Sequence, residues 1–93
     1  EAFKGSAINA SVSEGKVLTD LFNKYSTEFY LNIRDTSSNI SKNIDFIANN
    51  NKKIASITQI GNIKPLQITH AQNTKADKAL SKMKNAYSLL FIG

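Results

Sequence analysis

Residues 29–50 decide the fold, and they read FYLNIRDTSSNISKNIDFIANN. Three apolar side chains alternate with polar ones in the first part of this stretch, as in a half-buried strand: Phe29, Leu31 and Ile33. The polar run Asp35-Thr36-Ser37-Ser38 follows, with short oxygen-bearing side chains that accept hydrogen bonds at a helix start. Isoleucines then recur at helical spacing, at Ile40, Ile44 and Ile47. The stretch predicts a strand over residues 29–34, a polar cap and a helix over residues 38–50.

The same pattern, in which a helix-capping residue follows an extended stretch, occurs on both sides of residues 29–50. Ser11 is followed three residues later by Glu14, and Thr69 is followed three residues later by Gln72, the spacing of a capping box. The first pair predicts a helix over residues 12–25, with an apolar stripe made by Val17, Leu18, Leu21, Phe22 and Tyr25. The second pair predicts a helix over residues 72–84, with a stripe made by Ala76, Ala79, Leu80 and Met83.

Three further strands are predicted, over residues 54–60, 66–70 and 87–92. Asn49-Asn50-Asn51 ends the second helix before the first of them. Gly61-Asn62 supplies turn chemistry before Pro65, so a β-hairpin is expected between residues 54–60 and 66–70. The last strand is apolar on both faces, because Tyr87, Leu89 and Phe91 alternate with Leu90 and Ile92.

This order predicts an α/β fold, bordering on α+β. A leading helix precedes the order β-α-β-β-α-β of a two-layer sandwich, whose helices cover one face of a four- to five-stranded sheet. The alternative is a slice of a βα solenoid in which every strand is parallel. That alternative requires the link over residues 61–65 to be an irregular connection instead of a hairpin.

The chain is long enough for one domain, over residues 1–93. Its 93 residues, 41% of them apolar, suffice for one modest core. Residues 1–10 are expected to form either a poorly ordered lead-in or an edge strand. The capped helices also align as an internal repeat, in which Leu18 matches Ala76 and Phe22 matches Leu80. No stretch approaches the roughly 18 apolar residues of a membrane span, so none is expected.

The inventory of reactive side chains argues against an enzyme. The sequence has no cysteine and one histidine, His70, so no catalytic, cofactor-binding or metal site is predicted. Asp35 stands where a strand becomes a helix and could join an oxygen-rich site with Asn39, but a helix-capping role is favoured. No glycine-rich phosphate loop is present either.

The positive charge is concentrated in the second half of the chain. The net charge of +5 divides into −1 for residues 1–46 and +6 for residues 47–93. Four lysines around the third predicted helix form a possible anion- or nucleic-acid-binding stripe: Lys75, Lys78, Lys82 and Lys84. Because Arg34 is the one arginine, the forked donor that reads bases is nearly absent, and nucleic-acid binding is the alternative function.

Five short segments, in order and spacing, resemble the tandem α/β repeats of very large secreted surface proteins of Gram-negative bacteria, of the haemolysin-type or RTX-like kind. They are DTSSNI (residues 35–40), KIASI (53–57), LQITHAQ (66–72), ALSKM (79–83) and YSL (87–89). The likeness covers about two thirds of the chain, residues 31–92.

The resemblance implies a non-catalytic repeat module of an extracellular or cell-surface bacterial protein, serving adhesion or assembly. Its partners would be neighbouring repeat copies or another surface protein, and no cofactor is implied. The glycine- and aspartate-rich calcium-binding nonapeptides that accompany such proteins are absent from this sequence. Those proteins are also usually acidic, whereas this chain has a pI near 9.6.

Overall fold

The structure, a computed structural model, describes residues 6–25 and 29–93. Its elements, in chain order, are β1 (Ser6–Ala10), α1 (Val12–Lys24), β2 (Phe29–Asp35), α2 (Ser37–Lys42), α3 (Ile44–Asn49), a 3₁₀ turn (Asn51–Lys53), β3 (Ile54–Gln59), β4 (Leu66–Ile68), α4 (His70–Lys75), α5 (Asp77–Leu80) and β5 (Leu89–Phe91). The predicted α/β class is confirmed, and the arrangement is compatible with an α/β sandwich.

The described strands divide into two parallel sheets. The large sheet has the order β1-β2-β3, and the small sheet pairs β4 with β5. The hairpin expected between β3 and β4 is wrong, because β3 pairs with β2 and β4 pairs with β5, both in parallel. The five strands therefore do not form one sheet, and the parallel pairings with an irregular β3–β4 link are the features expected of the solenoid alternative.

Helix α1 begins where the sequence predicts and ends one residue earlier, at Lys24. The Ser11 hydroxyl accepts a hydrogen bond from the Glu14 N–H at 3.2 Å, and the Glu14 carboxylate accepts one from the Ser11 N–H at 2.9 Å, which completes the capping box. Gly15 lets the helix approach β2 closely, since a Cβ there would lie 3.2 Å from Ile33 Cδ1 and 3.3 Å from Leu31 Cδ1. β1, which precedes this helix, is an edge strand of the large sheet; residues 1–5 of the lead-in lie outside the described residues.

The helix expected over residues 38–50 is interrupted. It divides at Asn43 into α2 and α3, and the Asn43 side chain donates to the Asn39 carbonyl at 2.8 Å. Such bonding of a side chain to nearby backbone competes with continuation of a helix. The predicted core positions are nevertheless confirmed, because Ile40, Ile44 and Ile47 are all buried.

The helix expected over residues 72–84 starts two residues early and stops four residues early. Its Thr69–Gln72 capping box is confirmed, and the helix divides at Ala76 into α4 and α5. Residues 82–84 instead run parallel to β3: the Ile57 N–H donates to the Lys82 carbonyl at 3.1 Å, and the Lys84 N–H donates to the Ile57 carbonyl at 2.8 Å. Pairing with the sheet overrides helix propensity here.

The core lies between the sheets and the helices. Every second side chain of β2 is buried, including Phe29, Leu31 and Ile33, as the alternation predicts. Polar side chains join the three strands of the large sheet in register: Asn32 Nδ2 donates to Asn9 Oδ1 at 3.2 Å, and Ser56 Oγ donates to Asn32 Oδ1 at 2.7 Å. These bonds fix the strand register on the half-exposed side of the sheet.

Candidate interaction surfaces

Asp35 lies at the carboxyl end of β2 and connects three segments of backbone. Its carboxylate accepts hydrogen bonds from the Val12 N–H at 3.0 Å, the Thr36 N–H at 2.8 Å and Asn39 Nδ2 at 2.8 Å. The side chain is 7% exposed. Among the described residues its oxygens are thus used to anchor the start of α1 and the start of α2. The role is structural, but the residue that caps α2 is Thr36, whose side chain accepts from the Asn39 N–H at 3.2 Å, and not Asp35 as the sequence favoured.

These donors control the ionisation of Asp35. Burial by itself raises the pKa of the carboxyl, but the hydrogen bonds from Val12, Asn39 and Thr36 favour the charged form more strongly. The pKa therefore lies below its ordinary value. A carboxylate held in its charged form by three donors has no spare proton to give, so it is poorly suited to general acid chemistry near neutral pH.

Two other helix starts make contacts at positions equivalent to the Val12–Asp35 contact, through different chemistry. Ser37, the first residue of α2, donates its hydroxyl to Gln59 Oε1 at the end of β3, at 2.7 Å. His70, the first residue of α4, stacks on Phe91 at the end of β5, with ring centroids 3.9 Å apart. In each case the first residue of a helix contacts the last residue of the strand that pairs, further along the chain, with the strand before that helix. The one histidine, His70, is part of this packing.

The lysines of the predicted stripe do not share one helix face. Lys75 ends α4, Lys78 lies in α5, and Lys82 and Lys84 follow it in the segment that runs beside β3. Lys82 Nζ donates to the Asn51 carbonyl at 2.6 Å and to the Ile54 carbonyl at 2.8 Å, and burial lowers the pKa of its ammonium. Lys75, Lys78 and Lys84 remain exposed, so three of the four are open to an anion.

An uncovered apolar stripe lies on α1. Val17, Leu21 and Tyr25 follow each other at four-residue spacing and are 66%, 44% and 65% exposed. The helix buries a different set against the core, namely Val12, Gly15 and Thr19. The sequence contains the signal for this stripe, but the periodicity that predicts the helix assigns all of its apolar residues to a single core face.

A second uncovered apolar surface lies at β5 and the residues on either side of it. Leu90 is 50% exposed, and Tyr87, Phe91 and Ile92 are 39%, 40% and 45% exposed. β5 pairs on one side with β4, and β1 pairs on one side with β2; among the described residues no strand pairs with the other edge of either. The described residues thus leave one edge of β1 and one edge of β5 unpaired, and they expose apolar side chains on α1 and around β5.

A cavity of about 470 Å³ lies where α2, the β3–β4 link, β4 and the residue after β5 meet. Its lining comprises Ser38, Ser41, Lys42, Lys64, Pro65, Gln67, Gln72 and Ile92. The sequence analysis missed this site, because Lys42 and Lys64 belong to different elements and no local pattern links them.

Two further searches gave negative results for the described part of the chain. Residues 6–25 and 29–93 contain no group of three or more His, Cys, Asp or Glu side chains that could hold a metal ion. None of the helices over these same residues combines the length and the apolar character that crossing a membrane requires.

Comparisons with known proteins give no relative of this chain. It matches no known protein family, no curated protein and no solved structure.

Proposed function

We propose that the chain is a non-catalytic structural and interaction module that packs end to end against neighbouring α/β units of its own kind. The observation that carries this proposal is that the described residues leave an edge of β1 and an edge of β5 unpaired and expose two apolar surfaces, one around Leu21 on α1 and one around Leu90 at β5. The edges are short, at five residues in β1 and three in β5, so the exposed apolar side chains supply most of the surface that a neighbouring unit would cover.

The two surfaces differ, which favours a head-to-tail contact over a symmetric one. One apolar surface is made by side chains of helix α1, and the other is made by side chains of β5 and its neighbours. Residues 6–25 carry two acids and two lysines, and residues 85–93 carry no charged side chain, so no net charge repulsion opposes joining the two surfaces. A head-to-tail contact of this kind extends into an array.

The resemblance of the sequence to tandem repeats of secreted bacterial surface proteins supports the same proposal. In that setting the module serves adhesion or assembly at the cell surface or outside the cell. Covalently joined neighbours meet at an effective concentration in the millimolar range, so a contact with a dissociation constant up to about 1 mM is strong enough to hold an array.

The test is sedimentation equilibrium of the chain at concentrations up to about 1 mM. One variant, Val17→Glu with Leu21→Glu, removes the α1 stripe, and another, Leu90→Glu with Ile92→Glu, removes the β5 surface. We expect the chain to associate into open-ended species. Each variant alone should stay monomeric, and an equimolar mixture of the two should form a dimer and nothing larger.

The matched control is Asn23→Glu with Asn62→Glu, which adds the same charge at exposed polar positions and should associate as the unmodified chain does. A chain that stays monomeric throughout would refute the proposal. Dimers of one variant on its own would also refute head-to-tail packing, since one end would then suffice.

The alternative function is binding of nucleic acid through the exposed Lys75, Lys78 and Lys84. A titration with mixed oligonucleotides at about 50 mM salt tests it, because the electrostatic contribution to affinity is largest at low salt. Absence of binding under that condition excludes this function.

A further inference from the structure

We infer that the cavity between α2 and the β3–β4 link binds a hydroxylated anion of the size of one sugar, with the anionic group held between Lys42 and Lys64. This inference does not require the packing proposed above, although Ile92 belongs both to the cavity lining and to the β5 surface. The volume of the cavity, about 470 Å³, lies within the range of about 300–1,000 Å³ that is typical of small-molecule sites.

The charge of the cavity selects an anion. Two lysines line it, and its lining includes no acidic side chain. Among residues 6–25 and 29–93, no hydrogen-bond or ion-pair partner engages either ammonium, so both can bind a ligand. One lining residue, Gln72, contacts an acidic group, because its Nε2 donates a long, 3.5 Å hydrogen bond to Asp45 Oδ1.

The walls of the cavity are held in place before any ligand arrives. Ser37 Oγ accepts a hydrogen bond from the Lys64 N–H at 3.0 Å, and Ser41 Oγ accepts one from the Gln67 N–H at 3.1 Å. Ser41 Oγ in turn donates to the Ser37 carbonyl at 2.9 Å. These bonds tie α2 to the link and to β4, so the two lysines project from backbone whose relative position is fixed, which reduces the entropic cost of binding.

The remaining lining selects hydroxyl groups on the ligand. The Ser38 hydroxyl and the side-chain amide of Gln67 are exposed, and among the described residues they have no partner, so each can both donate and accept. Pro65 and Ile92 add apolar surface beside them. This combination of cations, uncharged polar groups and a small apolar wall suits an anionic sugar, whether its charge is a carboxylate or a phosphate.

The test is a titration of the ¹⁵N-labelled chain followed by NMR, with D-galacturonate, glucose 6-phosphate and glucose as separate ligands. We expect saturable shifts of the Ser41 and Gln67 amide signals with one or both anionic sugars and a much weaker response to glucose. A response to galacturonate alone identifies a carboxylate as the anion, and a response to glucose 6-phosphate alone identifies a phosphate.

The variant Lys42→Ala with Lys64→Ala should weaken binding by about tenfold or more, since hydrogen bonds to charged groups are the strong ones. The control, Lys75→Ala with Lys84→Ala, removes the same charge at exposed positions outside the cavity and should bind as the unmodified chain does. Thermal melts verify that both variants fold. Equal responses to glucose and the anionic sugars, no saturable response at all, or equal weakening in the control would each overturn the inference.

Discussion

The large sheet and the small sheet are both parallel, but they differ in how their strands are covered. In the large sheet β2 lies between β1 and β3, and the free edge of β3 is covered by residues 82–85. In the small sheet Leu66 and Ile68 of β4 are fully buried, whereas Leu90 and Phe91 of β5 are 50% and 40% exposed. β5 is at least as apolar as β4, so the difference in burial arises from position and not from composition. A strand of this chain is buried when the strand and helix that follow it in the sequence pack beside it.

The largest expected effect comes from placing a charge in each sheet. Ile33→Asp should unfold the domain, because Ile33 is 0% exposed and an unpaired buried charge costs about 4 kcal/mol or more against a total stability of roughly 5–15 kcal/mol. Leu90→Asp should change the free energy of unfolding by less than about 0.5 kcal/mol. Urea denaturation of both variants measures the contrast, and similar losses in the two would show that β5 is as well covered as β2.

The next effect concerns the anchor at the end of β2. Asp35→Asn removes the negative charge and replaces one of the two acceptor oxygens with an NH2 donor, so at least one of the three N–H donors loses its acceptor, and the change should cost about 2–4 kcal/mol of stability. Because the pKa of Asp35 is lowered in the folded state, its contribution is complete above the unfolded-state pKa of about 4 and is lost as the pH falls through the folded-state value.

Melting temperatures measured from pH 6 to about pH 2 check this sign. The Asp35→Asn variant should show a smaller fall in stability over that range than the unmodified chain. The exposed carboxylate of Asp77 supplies the control, because Asp77→Asn leaves the Asp35 anchor in place. An Asp35→Asn profile parallel to that of the unmodified chain would contradict the assignment.

A smaller effect is expected at the covered edge of β3. The Asn85 side chain accepts from the Gln59 N–H at 3.1 Å and donates to the Gln59 carbonyl at 2.9 Å, so it reproduces one rung of a parallel ladder. Asn85→Ala should cost about 1–2 kcal/mol and speed hydrogen exchange at the Gln59 amide. Asn62→Ala, in an exposed turn, should leave that exchange rate unchanged.

The smallest expected effect lies at the end of the small sheet. His70→Ala removes the stack on Phe91 and should lower the free energy of unfolding by about 0.5–1 kcal/mol, because both rings are exposed. His70→Phe keeps an aromatic ring at this position and should retain most of the stability. Chemical denaturation of the two variants separates the stack from any other role of the histidine.

Local signals in the sequence predict much of this fold. The Ser11–Glu14 and Thr69–Gln72 capping boxes predict two helix starts, since both partners lie within one turn of helix. The alternation in β2 predicts which of its side chains are buried. These features depend on neighbours a few residues away, which is why periodicity and cap chemistry find them.

The features that the sequence did not predict depend on distant partners. Residues 82–84 leave helical geometry because β3 offers them hydrogen bonds, and that strand ends more than twenty residues earlier. The hairpin was expected because turn residues join two strand patterns, but those residues do not specify that β4 instead pairs with β5. The candidate anion cavity also depends on distant partners. Lys42 and Lys64 line it together because hydroxyls of α2 accept hydrogen bonds from the β3–β4 link and from β4.

The contacts between the start of each helix and the end of the next strand have a consequence for how the chain folds. Val12 and Asp35 are 23 residues apart, Ser37 and Gln59 are 22 apart, and the His70–Phe91 stack has nearly the same separation. The entropy lost in closing a loop depends on its length, so each closure costs about the same and none spans the whole chain.

Folding can therefore begin at any one of these closures and spread to its neighbours, without first bringing the two ends of the chain together. We expect that the transition state of folding can relocate from one unit to another when a mutation weakens the first. The same property lets an array of such units grow longer without folding more slowly.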